Sequence, residues 1–367
     1  MQDLNIEHLR RFAIARSLFA PTTLPRAIDK LGFVQADPIR SPARAQDLIL
    51  RHRVKDYRAG DLEQRYAKLT VEEDFFVNYG FMPRELADLM HPRVARRQLS
   101  ALQRKQGEAI IEFVRERGQV HPKEVDAHFQ HGASRNWFGG NSRVSTQLLD
   151  ALHYRGELRT ARRENGIRTY ALRTPAPHGV SDHEAIDRLI DVFVALYAPL
   201  PAKSLTYLLG LLMRGVPQWR TQRSAALLRA KARLGNAQIE GIAWYWSADE
   251  NPQAKRYAAV DESARFLAPF DPVVWDRTRF ELLWKWTYRF ETYTPAPKRK
   301  MGYYAMPLLL GDQVIGWGNI DATGEQIQVE VGLKHKFTQA VVKRALEQEL
   351  VQLSQFLSKP INKLRWI

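Results

Sequence analysis

The sequence predicts an α+β protein: three tandem winged-helix units followed by an antiparallel β-barrel with a closing helix. Three observations carry this expectation. Amphipathic helical segments dominate the first two thirds of the chain, separated by Pro- and Gly-containing turns. A run of three helices is followed at Glu157–Leu172 by two alternating segments around Glu164-Asn165-Gly166, the pattern of a hairpin or wing. From Phe266 onward the hydrophobic period changes from helical to alternating.

In chain order, Ile6–Leu18, Pro25–Leu31 and Arg44–Ile49 read as helices of a first unit (1–100). A second unit (101–175) begins with Glu108–Arg117, continues with Pro122–Phe129, which starts at a proline suited to the first helical turn, and adds Arg143–Tyr154. Its wing is Glu157–Arg163 and Ile167–Leu172. Thr174-Pro175-Ala176-Pro177-His178-Gly179 reads as a linker. A third unit (176–262) offers helices at Glu184–Leu196, Ala202–Met213 and Ser224–Leu234, then strand-like runs at Ile239–Trp246 and Arg256–Val260. The last unit (263–367) shows alternating runs at Tyr303–Leu310, Gln313–Ile320 and Gln326–Val331, turns at Gly311-Asp312 and Thr323-Gly324, and a helix from Thr338 to Leu357. The three helical units share an order of elements and no residue repeat.

With 367 residues and 45% hydrophobic content the chain can fill several cores. Lys and Arg total 55 against 40 Asp and Glu, a formal charge of +15, so a polyanion gains by releasing counterions on binding. Nucleic acid is the leading partner class. The absence of cysteine excludes disulfides, thiolate metal sites and a cysteine nucleophile. The N-terminal residues lack an export pattern and no run approaches a membrane span, so a cytoplasmic or nucleoid setting is expected. No phosphate loop, dinucleotide fingerprint or nucleophile elbow is found, and no cofactor is expected.

Gln35 and Asp37, in Leu31-Gly32-Phe33-Val34-Gln35-Ala36-Asp37-Pro38, are the candidate catalytic residues. Gly32 suits a left-handed cap after the preceding helix, and Pro38 biases Asp37 toward extended backbone. Residues two apart on an extended segment share a face, so an amide and a carboxylate project together. The plain alternative is a helix-exit loop whose side chains cap backbone groups. A reaction for which this pair suffices is excision of an N-alkylated purine. The alkylated base already carries positive charge and leaves without a general acid. A carboxylate then stabilises the oxocarbenium-like sugar and deprotonates water, while an amide orients that water.

Phosphate contacts are expected from Arg162 and Arg163 on the wing, Arg143 at the start of the third helix of that unit, and Lys298-Arg299-Lys300; the alternative for each is a solvated ion pair. His128 and His131 lie at helical spacing without a third ligand, so no metal site is expected. The tryptophans at 244, 246, 275, 284 and 286 fall in apolar-patterned runs and read as core.

Two stretches resemble the winged-helix DNA glycosylases of the YcaQ and AlkZ type: Leu31–Asp37 followed by Arg44-Ala45, and Phe266-Leu267-Ala268-Pro269-Phe270-Asp271-Pro272-Val273-Val274-Trp275-Asp276-Arg277-Thr278-Arg279, continuing through Tyr288 to Tyr304. The segment Ala151–Leu158 adds to the likeness. The resemblance implies tandem winged helices and a β-barrel holding duplex DNA, a metal-free monofunctional site at Gln35 and Asp37 with Arg44 nearby, excision of N7-alkylpurines, and crosslink unhooking as an extension. A protein of another class also fits the architecture: a non-catalytic winged-helix regulator that prefers one operator sequence. A lyase step would need a poised lysine, and Lys30 alone lies near the motif in sequence, so none is expected. The chain is expected to act as a monomer on double-stranded DNA.

Overall fold

The computed structural model describes residues 3–95, 98–130, 132–135, 141–174, 179–259, 263–334 and 339–367. It is a mixed α+β protein, with thirteen α-helices and five small sheets among the described residues. The chain divides into two compact units: Met1–Asp61 with Ile190–Leu208 and Leu228–Ile367, and Leu62–Leu189 with Leu209–Leu227. No helix of the described residues is long and apolar enough to cross a membrane.

The first unit opens with helix Ile6–Ser17, capped by Asn5, whose side chain accepts from His8 N–H while the His8 ring accepts from Asn5 N–H. Helix Leu24–Leu31 buries Leu24, Ala27, Ile28 and Leu31 on one face and ends at Gly32 with φ 68°, a conformation that costs glycine little. Helix Ala45–Leu50 is buried along its whole length. Arg53 clamps these helices from within. Its five N–H groups reach Ser17 O and Oγ, Ile49 O and both oxygens of Asp271, the carboxylate at 2.8 and 3.0 Å. Both ends of this pair are fully buried, which is tolerable because every donor is matched.

In the same unit a five-stranded sheet runs in the order Ala264–Phe266, Met306–Leu310, Gln313–Asp321, Ile327–Leu333, Ile361–Trp366. The expected barrel is therefore an open sheet among the described residues. The reason lies at its end: after helix Gln339–Leu357 the chain adds Ile361–Trp366 in parallel beside Ile327–Leu333, extending the sheet by one more edge. That strand escapes sequence reading because Asn362, Lys363 and Arg365 interrupt its apolar residues. Glu349, buried on the helix, accepts from Phe266 N–H at 2.8 Å and pairs with Arg51, so the helix packs on the sheet's opposite edge. A separate hairpin, Gly235–Ile239 with Ile242–Trp246, replaces the single run expected at Ile239–Trp246. Glu240 and Gly241, at φ 50° and 74°, make the two-residue turn that period counting passed over. The expected strand from Arg256 begins as a 3₁₀ turn, Lys255–Tyr257, with residue 260 outside the described residues.

In the second unit helices Ala101–Arg117, Pro122–Phe129 and Val144–Arg155 and the hairpin Leu158–Glu164/Ile167–Leu172 enclose a core of Ile110, Val114, Leu148, Leu152 and Tyr170. Helix Ala101–Arg117 starts a full two turns before the expected Glu108, where Ser100 and Gln103 form a reciprocal cap. An unexpected hairpin, Val71–Phe75 with Tyr79–Pro83, carries the buried acids Glu72, Glu73 and Asp74. Arginines neutralise all three: Arg84 and Arg159 at Glu72, Arg163 at Glu73, Arg93 at Asp74. Acidic residues discourage a strand in isolation, and only these partners make one here. The expected linker at Thr174–Gly179 lies mostly outside the described residues, as do the ends of the expected units at 175 and 262.

Candidate active site

The candidate site grows from the exit of helix Leu24–Leu31. Gly32 turns the chain so that Phe33 and Val34 enter the core, both 1% exposed. Val34–Gln35 is extended, and Gln35 is itself buried, at 8% exposure, while Asp37 beyond it is half-buried. The amide and the carboxylate thus sit at different depths, with the paired strand itself ending at Gln35. Asp37 Oδ1 accepts from Ile39 N–H at 2.9 Å, a local turn that fixes the carboxylate and leaves Oδ2 as acceptor. Burial pushes the Asp37 pKa above its ordinary value, and the Ile39 N–H partly offsets this.

Just past Asp37, Arg40, Ser41 and Pro42 form one wall of an open groove of about 610 Å³. Gly302, Tyr303 and Tyr304 lie across it, with Asn319–Thr323 of the sheet as floor. The loop carrying Tyr303 is drawn in by Glu291, whose Oε2 accepts from Lys300 and Met301 N–H at 2.8 Å each. Thr292 Oγ1 donates to Tyr303 O at 2.7 Å. Gly302 has φ 123°, and a Cβ there would meet Asn319 Oδ1 at 2.3 Å, so this position admits only glycine without rebuilding the groove. The Lys298-Arg299-Lys300 run thus leads directly into Gly302–Tyr304, one wall of the groove. Lys298 and Lys300 are exposed; Arg299 is half-buried, donating to Thr294 O at 2.8 Å and lying 5.0 Å from the Tyr303 ring centre.

Tyr304 and Arg40 were not singled out from sequence. Tyr304 is 3% exposed, its ring meets Phe290 edge-on at 5.4 Å, and its hydroxyl has no hydrogen-bond partner among the described residues. Burial first, and next the Asp37 carboxylate, push its pKa well up. No spacing rule links positions so distant in sequence. The one signal was that Tyr304 closes the long family-like stretch.

The remaining expected contacts fall elsewhere. Arg44 is half-buried at the start of helix Ala45–Leu50. In the second unit Arg143 is 65% exposed beside Asp126, and Arg162 is exposed and paired with Glu164 on the wing. Arg163, on the same wing, is turned inward and grips Glu73 with Nε at 2.9 Å and a second nitrogen. His128 stacks on Phe113 at 4.5 Å, and His131 lies outside the described residues. The stretch Phe266–Arg279 acts as a brace. Asp271 holds Arg53, Asp276 caps helix Arg277–Trp284, and buried Arg279 donates to the carbonyls of Tyr197, Pro272 and Val273. Trp244, Trp246 and Trp284 are buried, whereas Trp275 and Trp286 are partly exposed.

Two comparisons place this arrangement. Over its whole length the chain matches the whole of a solved structure, Streptomyces sahachiroi DNA glycosylase AlkZ, with a TM-score of 0.64 at 14% identity, a likeness of fold. The sequence profile of the family described as DNA glycosylase AlkZ-like matches residues 28–356, a span that takes in Gln35, Asp37 and the groove. The chain belongs to the AlkZ-like DNA glycosylase family.

Proposed function

We propose that this chain hydrolyses the N-glycosidic bond of N7-alkylated purines in double-stranded DNA, with Asp37 as base and electrostatic stabiliser and Gln35 as the group that orients water. One observation carries the reading: in a family of DNA glycosylases, a half-buried carboxylate fixed through one oxygen stands three residues before the Arg40–Pro42 wall of a groove whose facing wall, Gly302–Tyr304, follows a basic run. The C1′–N9 bond breaks with its electron pair passing to the cationic base, which leaves neutral. Negative charge at Asp37 supports the developing positive charge on the sugar. Water then bonds to C1′ and its proton passes to Asp37. Burial raises the proton affinity of Asp37, which suits a base. Unhooking a crosslink is the same cleavage on a purine tied to the opposite strand.

Duplex contacts come from Arg44 and Lys298-Arg299-Lys300 in the first unit and from Arg143, Arg162 and Arg163 in the second, in a frame of tandem winged helices, with the protein acting as a monomer. Arg163 reaches DNA only by giving up Glu73. Lys30 lies over the Phe19 ring at 4.0 Å, and the reaction stops at base release, without strand cleavage. Asp37→Asn removes charge and keeps volume. We expect it to bind a duplex containing N7-methylguanine as the parent does and to lose base release by at least about 100-fold, the usual scale of a lost general base. Equal excision by variant and parent would remove Asp37 from the mechanism. Tight preference for one undamaged sequence, with no purine released by the parent, would replace the enzyme with a regulator.

A further inference from the structure

We infer that Tyr304 is a third anchor of the attacking water, its phenol donating to the water that Asp37 deprotonates. This rests on the glycosylase reading above and adds a residue to it.

The phenol is 3% exposed yet has no partner among the described residues, on the wall of the same groove that Arg40–Pro42 line directly after Asp37. Buried hydroxyls without a partner are costly and persist where a ligand or ordered water completes them. The phenol's packing is otherwise well determined. Phe290 holds the ring edge-on, and neighbouring Tyr288 is satisfied through Ala305 O at 2.6 Å. Tyr304 is thus the member of this aromatic group left with an open donor. It is close enough to Asp37 for the carboxylate to raise its proton affinity, but no direct hydrogen bond joins them. A single water fits chemically between a donor and an acceptor so placed.

The water's hydrogen bonds then close. It donates one hydrogen to Asp37 and the other to the Gln35 carbonyl oxygen, accepts the Tyr304 hydroxyl, and keeps one lone pair for C1′. Because burial and Asp37 both disfavour the phenolate, Tyr304 remains a donor throughout the working range. The phenol neither gains nor loses a proton in the reaction.

Tyr304→Phe tests this without opening a cavity. Under single-turnover conditions on a duplex containing N7-methylguanine we expect base release to slow about 10–100-fold, on the scale of a lost oriented hydrogen bond in a site, with unchanged duplex affinity and an unchanged or higher melting temperature. A second readout separates positioning from packing. A donor acting on Asp37 through water favours its charged form, so removing it moves the acid limb of the rate–pH profile to higher pH. A purely structural tyrosine would leave that limb in place. Parental rate and acid limb in Tyr304→Phe, with Asp37→Asn still inactive, would overturn this inference alone. Failure of the parent to release any base would overturn both it and the glycosylase reading. Should Tyr304→Phe unfold, Tyr304→Met, which keeps bulk without a donor, must show the same slowing and shift.

Discussion

At the residue scale, the two side chains of the proposed site lie in different environments although only two positions separate them. Gln35 is buried and Asp37 half-buried, so the carboxylate is the more accessible of the two while remaining dehydrated enough to hold its proton more firmly than a free aspartate. The consequence is a pH dependence of known sign. With Asp37 as the proposed base, excision requires its ionised form, and because burial raises its pKa above the ordinary 3.8, the rate should fall on the acid side at a pH higher than a solvated aspartate would give. A single-turnover profile from pH 4 to 8 measures this limb, and a limb at or below the ordinary carboxylate value would show that another group titrates. Sequence reading singled out both residues as candidates because helix end, glycine cap and proline are local signals. It did not find their unequal depth or Tyr304, since burial depends on what the rest of the chain lays over a segment.

Among the elements, the Phe266–Arg279 stretch is the most recognisable in the sequence and the least chemical in the structure. Its Asp271 meets all the remaining hydrogen-bonding capacity of Arg53, and its helix cap and buried Arg279 fix the backbone that follows. Removing one partner of a buried, fully matched pair leaves the other charge without compensation, so Asp271→Ala should destabilise the first unit by about 3–5 kcal/mol. Denaturant unfolding checks the figure, and the double variant Asp271→Leu/Arg53→Met should recover part of the loss. A loss under about 1 kcal/mol for Asp271→Ala would show that water reaches the pair. The hairpin Val71–Phe75/Tyr79–Pro83 teaches the converse lesson. The arginines that arrive from distant segments are what make Glu72, Glu73 and Asp74 interior residues.

Across the whole molecule, a charge of +15 predicts salt-sensitive binding to DNA, and the structure sorts which cations are available for it. Lys298 and Lys300 are exposed beside the groove, whereas Arg163 is committed to Glu73. Replacing both lysines by alanine should lower the slope of log affinity against log salt by about 2 if each meets a phosphate, with stability unchanged. Arg163→Ala should chiefly lower the stability of the second unit, which melting curves and a salt titration distinguish; an unchanged melting temperature with a reduced slope would return Arg163 to the DNA surface. Stability itself should fall as the solution is acidified below about pH 6.5. Burial holds the pKa values of His52, His91 and His153 below their ordinary value, so the unfolded chain takes up protons first and the folded state loses ground. Melting temperatures between pH 7.5 and 5 read this, and a flat profile would contradict the buried, neutral imidazoles. By itself the sequence determined the α+β class, most helix positions, the hairpin at Leu158–Leu172, the basic balance and the Gln35–Asp37 motif, because caps, turns, periodicity and charge act over a few residues. Tertiary structure alone decided that the last sheet stays open, that Arg163 points inward, and that Arg40–Pro42, shortly after Asp37, and Gly302–Tyr304, shortly after the Lys298–Lys300 run, line one groove. Those outcomes come from contacts between segments far apart in the chain, whose energies no local pattern contains.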